Sequence, residues 1–355
     1  MSATAGLPGD AVSDAELCRE LGDALAHRRE EPVAVVRLTR HSSEYRSSYG
    51  LEELQVDLAN GTALRLMFKD LSRGSMNPTA RAAKPDFLHD PRREIDVYAQ
   101  ILEGAGLGTA QYHGSICAAQ SQRYWLFIQK VAGVELYQVG DAAVWQQAAC
   151  WLAGMHARFA GQAIALGKRV PLVRYDGDYY RGWLRRALAF LDNAEITIQE
   201  RRQIRALADD YNRVVDFLLG LPITILHGDY YAANILIQPT DGGLRVCPVD
   251  WELAALGPAL IDLAALTAGK WTPEEKQAMA MAYRLALPAD SSVPTEPNDF
   301  LIALDHCRLQ LAVQWLGWAP SWTPPATQQY DWLHEALTVA ERLGILARET
   351  AEGNT

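Results

Sequence analysis

Cysteine is scarce in this 355-residue chain: Cys18, Cys117, Cys150, Cys247 and Cys307 are scattered, odd in number and without a CxxC pair. That excludes a disulfide framework and a cysteine-based zinc site, and it makes a reducing cytoplasm the expected setting. Basic residues are in deficit, with 33 Lys and Arg against 43 Asp and Glu and a formal net charge of -10. Surfaces that hold nucleic acid or anionic lipid need clustered cations, so neither partner is expected, whereas a cationic small molecule suits the balance. Long apolar runs are missing as well. No stretch reaches roughly 18 uncharged apolar residues, and the opening MSATAGLPGD lacks a basic start followed by an apolar core, so neither secretion nor a membrane span is expected. There is no internal repeat and no low-complexity tract. What is present is ordinary globular composition, 49% hydrophobic and 21% charged, long enough for one large domain or two smaller ones.

Ser13-Asp14 can cap a helix carrying Leu17, Leu21 and Leu25 on one stripe, which reads as an N-terminal helical extension over 1–31. From Val33 the period changes to that of strands: VAVVRLT, LEELQVDL, an Asn60-Gly61 turn, and TALRLMFKDL form an antiparallel meander. A polar stretch from Ser72 to Asp90 precedes REIDVYAQILEGAG, whose Ile95, Tyr98 and Leu102 recur at helical spacing. Two more strands are expected around Gln111 to Cys117 and in YWLFIQKV, closing a β-rich region over 32–131. Beyond Gly133 the spacing is mostly helical, with only ITILH and LIQ/LRVCPVD strand-like, so 132–355 reads as a helical region containing one short hairpin.

The chemistry concentrates in two places. ILHGDYYAANILI sets His227, Asp229 and Asn234 in the spacing H-x-D-x-x-x-x-N, between apolar runs that would anchor a loop. In a phosphoryl-transfer site such an Asp accepts or orients the hydroxyl proton and the Asn reaches a magnesium ion. The same residues also describe a surface loop with a capping Asp and Asn. In VCPVDWELAALGP, Asp250 ends a strand-like run, where a hard Mg²⁺ bound to nucleotide would find an oxygen ligand. Far upstream, Lys69 interrupts the alternating hydrophobics of LRLMFKDL and calls for a partner, and Glu94 in the following helix is the candidate.

This order of elements resembles that of the aminoglycoside phosphotransferase and choline-kinase-like families, most specifically in HGDYYAAN and PVDWELAALGPALIDLA. The resemblance implies an α+β, two-lobe protein-kinase-like fold, with an antiparallel sheet and one helix in the N-lobe and a mostly helical C-lobe. It implies ATP- or GTP-dependent phosphorylation of a hydroxyl on an aminoglycoside, a sugar or amino sugar, or an amino alcohol. Asp229 would be the base, Asn234 and Asp250 the Mg²⁺ ligands, Lys69 and Glu94 the phosphate-anchoring pair, and His227 a brace of the catalytic loop. Asp262, in the stretch Gly257-Pro258 to Asp262, would support that loop through its backbone or simply be a first-turn helix acid. The Gln129 carbonyl and Val131 amide would face the nucleotide base.

One departure stands out. Where kinases place glycines over the phosphates, this chain has TRHSSEYRSSYG, with Gly50 alone at its end. Ser42, Ser43, Ser47 and Ser48 offer hydroxyls there, and Arg46 a charge, or the segment is only a solvated hairpin. A nucleotide- or metabolite-binding protein with little turnover is therefore the competing account. A protein kinase is disfavoured by the lack of an A-P-E motif after Asp250. Acceptor candidates are aromatic and acidic: Asp176, Asp178, Tyr230, Tyr231, Glu252, Asp305, Trp318 and Trp322, because rings stack on sugars or cage cations and carboxylates pair with amines.

Overall fold

The computed structural model describes residues 12–43, 45, 48–318 and 330–347. In chain order the elements begin with α1 (Asp14–Arg29), β1 (Val35–Ser42), β2 (Leu51–Leu58), β3 (Ala63–Asp70), α2 (Pro78–Ala83), α3 (Arg93–Val97), β4 (Tyr112–Ala118), β5 (Arg123–Gln129) and β6 (Val134–Glu135). They continue with α4 (Ala142–Ala160), α5 (Ala163–Leu166), β7 (Val173–Arg174), α6 (Gly177–Leu191), α7 (Ile198–Leu219), β8 (Ile223–Leu226), β9 (Ile235–Thr240), β10 (Gly243–Pro248) and β11 (Ala255–Pro258). Last come α8 (Leu260–Leu266), α9 (Pro273–Ala286), α10 (Pro297–Trp318) and α11 (Trp332–Arg342). The described residues pack as two units. The first holds those up to 138 with 169–171 and 234–253, and the second holds 139–168, 172–233 and those from 254 onward.

The first unit is built on a five-stranded antiparallel sheet of order β1-β2-β3-β5-β4. Alternation in β2 and β3 turns Leu54, Val56, Leu58, Leu66 and Phe68 to one face, where they meet Trp125, Phe127 and the stripe Leu17, Leu21 and Leu25 of α1. The N-terminal helix is thus part of this core. Ser13 caps it by accepting from the Glu16 amide at 3.2 Å. Period two sends Met67 and Lys69 to the opposite face of β3, which is also buried, so the lysine is held inside the protein. The helix expected around Ile95 begins as α3 and then widens into a π-turn over Tyr98–Leu102. The polar stretch 72–90, read as a connection, contains the six-residue α2, with Asn77 as N-cap and Pro78 in its first turn.

A boundary at 131/132 and a single hairpin in the helical half were the expectation from pattern. In the structure β9 pairs with β10 on one side and with β6 on the other, through Val134 opposite Ile237, and 234–253 belong to the first unit. Gly133 permits that approach, since a Cβ there would lie 2.8 Å from the Ile237 carbonyl oxygen. β8 does not join the hairpin; it pairs with β11, which pairs in turn with β7. Strands of two to four residues, such as β6, β7 and β11, offer too few alternations to be read from pattern.

The second unit is helical around that small sheet. α10 packs against α6, α8 and α11, and α4 against α9. Its helix starts are written locally: Thr197 with Glu200 and Thr272 with Glu275 form capping boxes on α7 and α9. Among the described residues no helix is long and apolar enough to cross a membrane.

Candidate active site

Within the first unit, Lys69 Nζ lies 2.7 Å from Glu94 Oε2 and 2.7 Å from Asp250 Oδ1, and Lys69 is 4% exposed. An ammonium removed from water requires such partners. Burial disfavours its charge, but Asp250 and Glu94 together hold its pKa well above that of an ordinary lysine. Burial pushes the Glu94 carboxyl up, against the opposing pull of Lys69. Glu94 also accepts from the Trp251 amide at 3.3 Å, which ties the end of the β9–β10 hairpin to α3. Arg93 strengthens that tie: its guanidinium donates to the carbonyls of Leu88, Pro171 and Glu252.

The hairpin brings the two expected metal ligands side by side. Asn234 precedes β9 and Asp250 follows β10, and the Val249 amide donates to the Asn234 carbonyl at 2.9 Å, extending the ladder past Ile235 opposite Pro248. Asp250 takes a left-handed backbone, φ 64°, a conformation costing roughly 1 kcal/mol or more for a non-glycine residue. Strain of that kind persists where the surroundings over-determine it, here through Lys69 and the Trp251–Glu94 contact. A few residues away, Glu252 is paired with Lys84 at 2.7 Å and accepts from Ser48 Oγ at 3.1 Å. Two ammonium groups therefore meet the side-chain oxygens of Glu94, Asp250 and Glu252 in one cluster. Among the described residues no group of three or more His, Cys, Asp or Glu side chains forms a metal cage. Mg²⁺ does not need one, since it uses one or two side-chain oxygens with phosphates and water.

The second unit contains the loop that follows β8. Its first residues, His227 and Gly228, donate their amides to Asp262 at 2.7 and 3.0 Å. Asp262 is 1% exposed and lies 3.3 Å from His156 Nε2, whose Nδ1 is 2.8 Å from the Tyr283 hydroxyl. Gly228 adopts φ 80°, where a side chain would be strained, so the His-Gly-Asp order has a backbone reason. The buried His227 ring accepts the Asp229 amide at 3.3 Å, and the Tyr231 amide closes a tight turn onto the Asp229 carbonyl at 2.8 Å. Asp229 itself is partly exposed, unlike the buried His227 whose ring accepts its amide. His156 and Tyr283 were not singled out from sequence, because a buried His-Tyr pair on two helices leaves no local motif.

The remaining candidates fall in several places. Ser42 ends β1, and Ser43 Oγ accepts from the Tyr45 amide; Arg46, Ser47 and Trp322 lie outside the described residues. Gln129 ends β5 with its side-chain oxygen accepting from Arg245, and Val131 is buried. Asp176 caps α6 by accepting from the Tyr179 amide, and Asp178 sits in that helix's first turn. Asp305 is paired with both Arg308 and Arg342, so its charge is already compensated. Tyr230 is buried, stacked on Trp151 and bonded to the Ala148 carbonyl, whereas the Tyr231 hydroxyl meets the Trp315 indole N–H. Trp315 stacks on Trp332 at 5.5 Å, and Trp318 leans on Trp183 at 5.3 Å. Glu252, expected among the acceptor residues, accepts from Lys84 and from Ser48 Oγ.

Known proteins share this architecture. The structure is similar to that of a microcompartment-associated aminopropanol kinase, with a TM-score of 0.55 and 14% identity over 86% of this chain and 89% of that one. It is similar to a Plasmodium vivax ethanolamine kinase, with a TM-score of 0.52 and 12% identity over 86% and 82%. A spectinomycin phosphotransferase solved with ADP and spectinomycin aligns at a TM-score of 0.50 and 12% identity over 95% and 100%. No curated protein matches the chain. At these identities the likeness speaks for the fold. Residues 77–293, more than half of the chain, match the phosphotransferase enzyme family, and the chain belongs to that family as a small-molecule phosphotransferase of protein-kinase-like fold.

Proposed function

We propose that the chain transfers the terminal phosphoryl group of magnesium ATP or GTP to a hydroxyl of a small molecule, with amino alcohols, amino sugars or other sugars, and aminoglycosides as the acceptor classes. The observation that carries this reading is the buried Lys69 held between Glu94 and Asp250, at the end of a hairpin whose other strand begins at Asn234. In this reading Lys69 binds the α- and β-phosphates, oriented by Glu94. Asn234 and Asp250 would hold Mg²⁺, which when bound neutralises charge on the transferring group. Asp229 accepts or orients the acceptor's hydroxyl proton, held in place by His227 and, through the loop backbone, by Asp262. Its partial exposure fits a group that must meet a substrate.

The amine-bearing compounds named in the similar kinases, aminopropanol and ethanolamine, support an acceptor with a basic group, as does the acidic balance of the chain. Tyr231, Trp315 and Trp332 offer an aromatic wall in the second unit for such an acceptor. The test is Asp229→Asn assayed with Mg-ATP and Mg-GTP against a panel of amino alcohols and amino sugars. Turnover is expected to fall by roughly 10³-fold or more with nucleotide affinity nearly unchanged, because a base acts in the transition state. Normal turnover in the variant would refute the assignment. Wild-type nucleotide binding without turnover over the whole panel would favour a binding protein.

A further inference from the structure

The segment between β1 and β2 has no glycine among its described residues before Gly50, and none of those residues takes a left-handed backbone. Its end, residues 48–50, is pinned to the connection after β3. The Asn77 amide donates to the Ser48 carbonyl at 2.9 Å, the Gly50 amide to the Ser75 carbonyl at 3.4 Å, and Tyr49 forms an isolated antiparallel bridge with Met76. Residues 48–50, tied down in this way, are poorly suited to wrap phosphates with successive amides. The same ties bring a second cation inward. Lys84, directly after α2, has a side chain only 6% exposed, paired with Glu252. Its Nζ and that of Lys69 each lie 5.6 Å from the centroid of the buried Tyr49 ring, so one aromatic ring carries both ammonium groups. Ser48 Oγ donates to the other oxygen of the same Glu252 carboxylate, and Arg93 holds the Glu252 carbonyl.

Burying an ion pair contributes little net stability, because desolvation offsets the attraction. What this arrangement provides is a cation of fixed position beside the phosphate-anchoring lysine. We propose that Lys84 is a second phosphate-binding lysine of the donor site, positioned by Glu252 and the Tyr49 ring, and that it takes the part played in other kinases by glycine-loop amides. This rests on the phosphotransferase reading above, in which Lys69 meets the nucleotide's phosphates. On nucleotide binding Lys84 keeps one N–H on Glu252 and gives its others to triphosphate oxygens. An ammonium acts as a point charge on phosphate, so its contribution grows with the number of phosphates within reach.

The experiment is competition of a fluorescent ATP analogue, with Mg²⁺ present, by nucleoside, monophosphate, diphosphate and triphosphate, on wild type, Lys84→Met and the double variant Lys84→Met/Glu252→Met. The single variant is expected to weaken triphosphate binding roughly tenfold or more while nucleoside binding changes less than about twofold. The double variant removes both charges and leaves no buried carboxylate unpaired. If Lys84 serves phosphate, triphosphate binding stays weak in the double variant, whether or not the single variant folds well. Restoration of wild-type affinity in the double variant would show Lys84 to be only the partner of Glu252 and would overturn the proposal. Equal weakening for all four competitors, or none, would overturn it too. Failure of the wild type to bind any magnesium nucleotide would instead overturn the phosphotransferase reading on which it rests.

Discussion

Replacing Asp262 tests how the catalytic loop is held. Its carboxylate accepts two backbone amides, at 2.7 and 3.0 Å, and contacts His156 in a site only 1% exposed. Hydrogen bonds to a charged group contribute about 1.5–3 kcal/mol each, and a buried donor left without an acceptor carries a similar cost. Asp262→Ala strips the acceptor from both amides and is expected to cost roughly 3–6 kcal/mol, comparable with the whole net stability of many domains. Asp262→Asn keeps one acceptor oxygen but turns an amide group toward the other backbone N–H, so about half that loss, roughly 2–3 kcal/mol, is expected. Urea unfolding followed by tryptophan fluorescence reads the stability change, and steady-state turnover reads its effect on the loop. Because His227 and Gly228 lead directly into Asp229, Asp262→Asn should also lower turnover by about 10²-fold through misplacement, with nucleotide affinity retained. Wild-type stability and turnover in Asp262→Asn would refute this account. Loss of turnover at full stability would show that Asp262 acts in the chemistry rather than by holding the loop.

Three further outcomes follow from local geometry. Asp250→Ala should abolish the Mg²⁺ dependence of nucleotide binding, measured by titration with and without the metal, and persistence of that dependence would remove Asp250 as a ligand. Gly133→Ala should destabilise the first unit by about 1–3 kcal/mol, read as a lower denaturation midpoint, because its Cβ would sit 2.8 Å from the Ile237 carbonyl oxygen where backbone must give. His113 is held at a pKa of about 4 by burial first, then by Arg28 and Arg29. The unfolded state therefore binds the proton more readily than the folded one, so stability is full above about 6.5 and falls as pH drops toward 4. The change is on the order of a few kcal/mol, and His113→Gln should flatten that part of the stability profile.

Legibility from sequence followed the range of the interactions concerned. The α1 stripe, the Asn-Gly turn and the five strands of the large sheet are set by neighbours a few residues apart, and the structure has them near the expected positions. The spacing of His227, Asp229 and Asn234 was visible for the same reason, since a short loop must hold its own geometry. Glu94 was a reasonable partner for Lys69 because a charge amid strand hydrophobics needs one. Asp250 as the second partner was not, since nothing local in a strand-end Asp reports a lysine 181 positions upstream. Likewise the two- to four-residue strands pair only because distant segments meet.

Family, element periodicity and the residue types able to move a phosphoryl group were all present in the order of amino acids, because these depend on short-range spacing and on side-chain chemistry. The remainder came from folding. Asp262 reaches back to the amides of His227 and Gly228, His156 bridges Asp262 and Tyr283, and Tyr49 gathers Lys69 and Lys84 onto one ring. Each is a contact between residues far apart in the chain, made where burial removes water and a charge must find its partner within the protein.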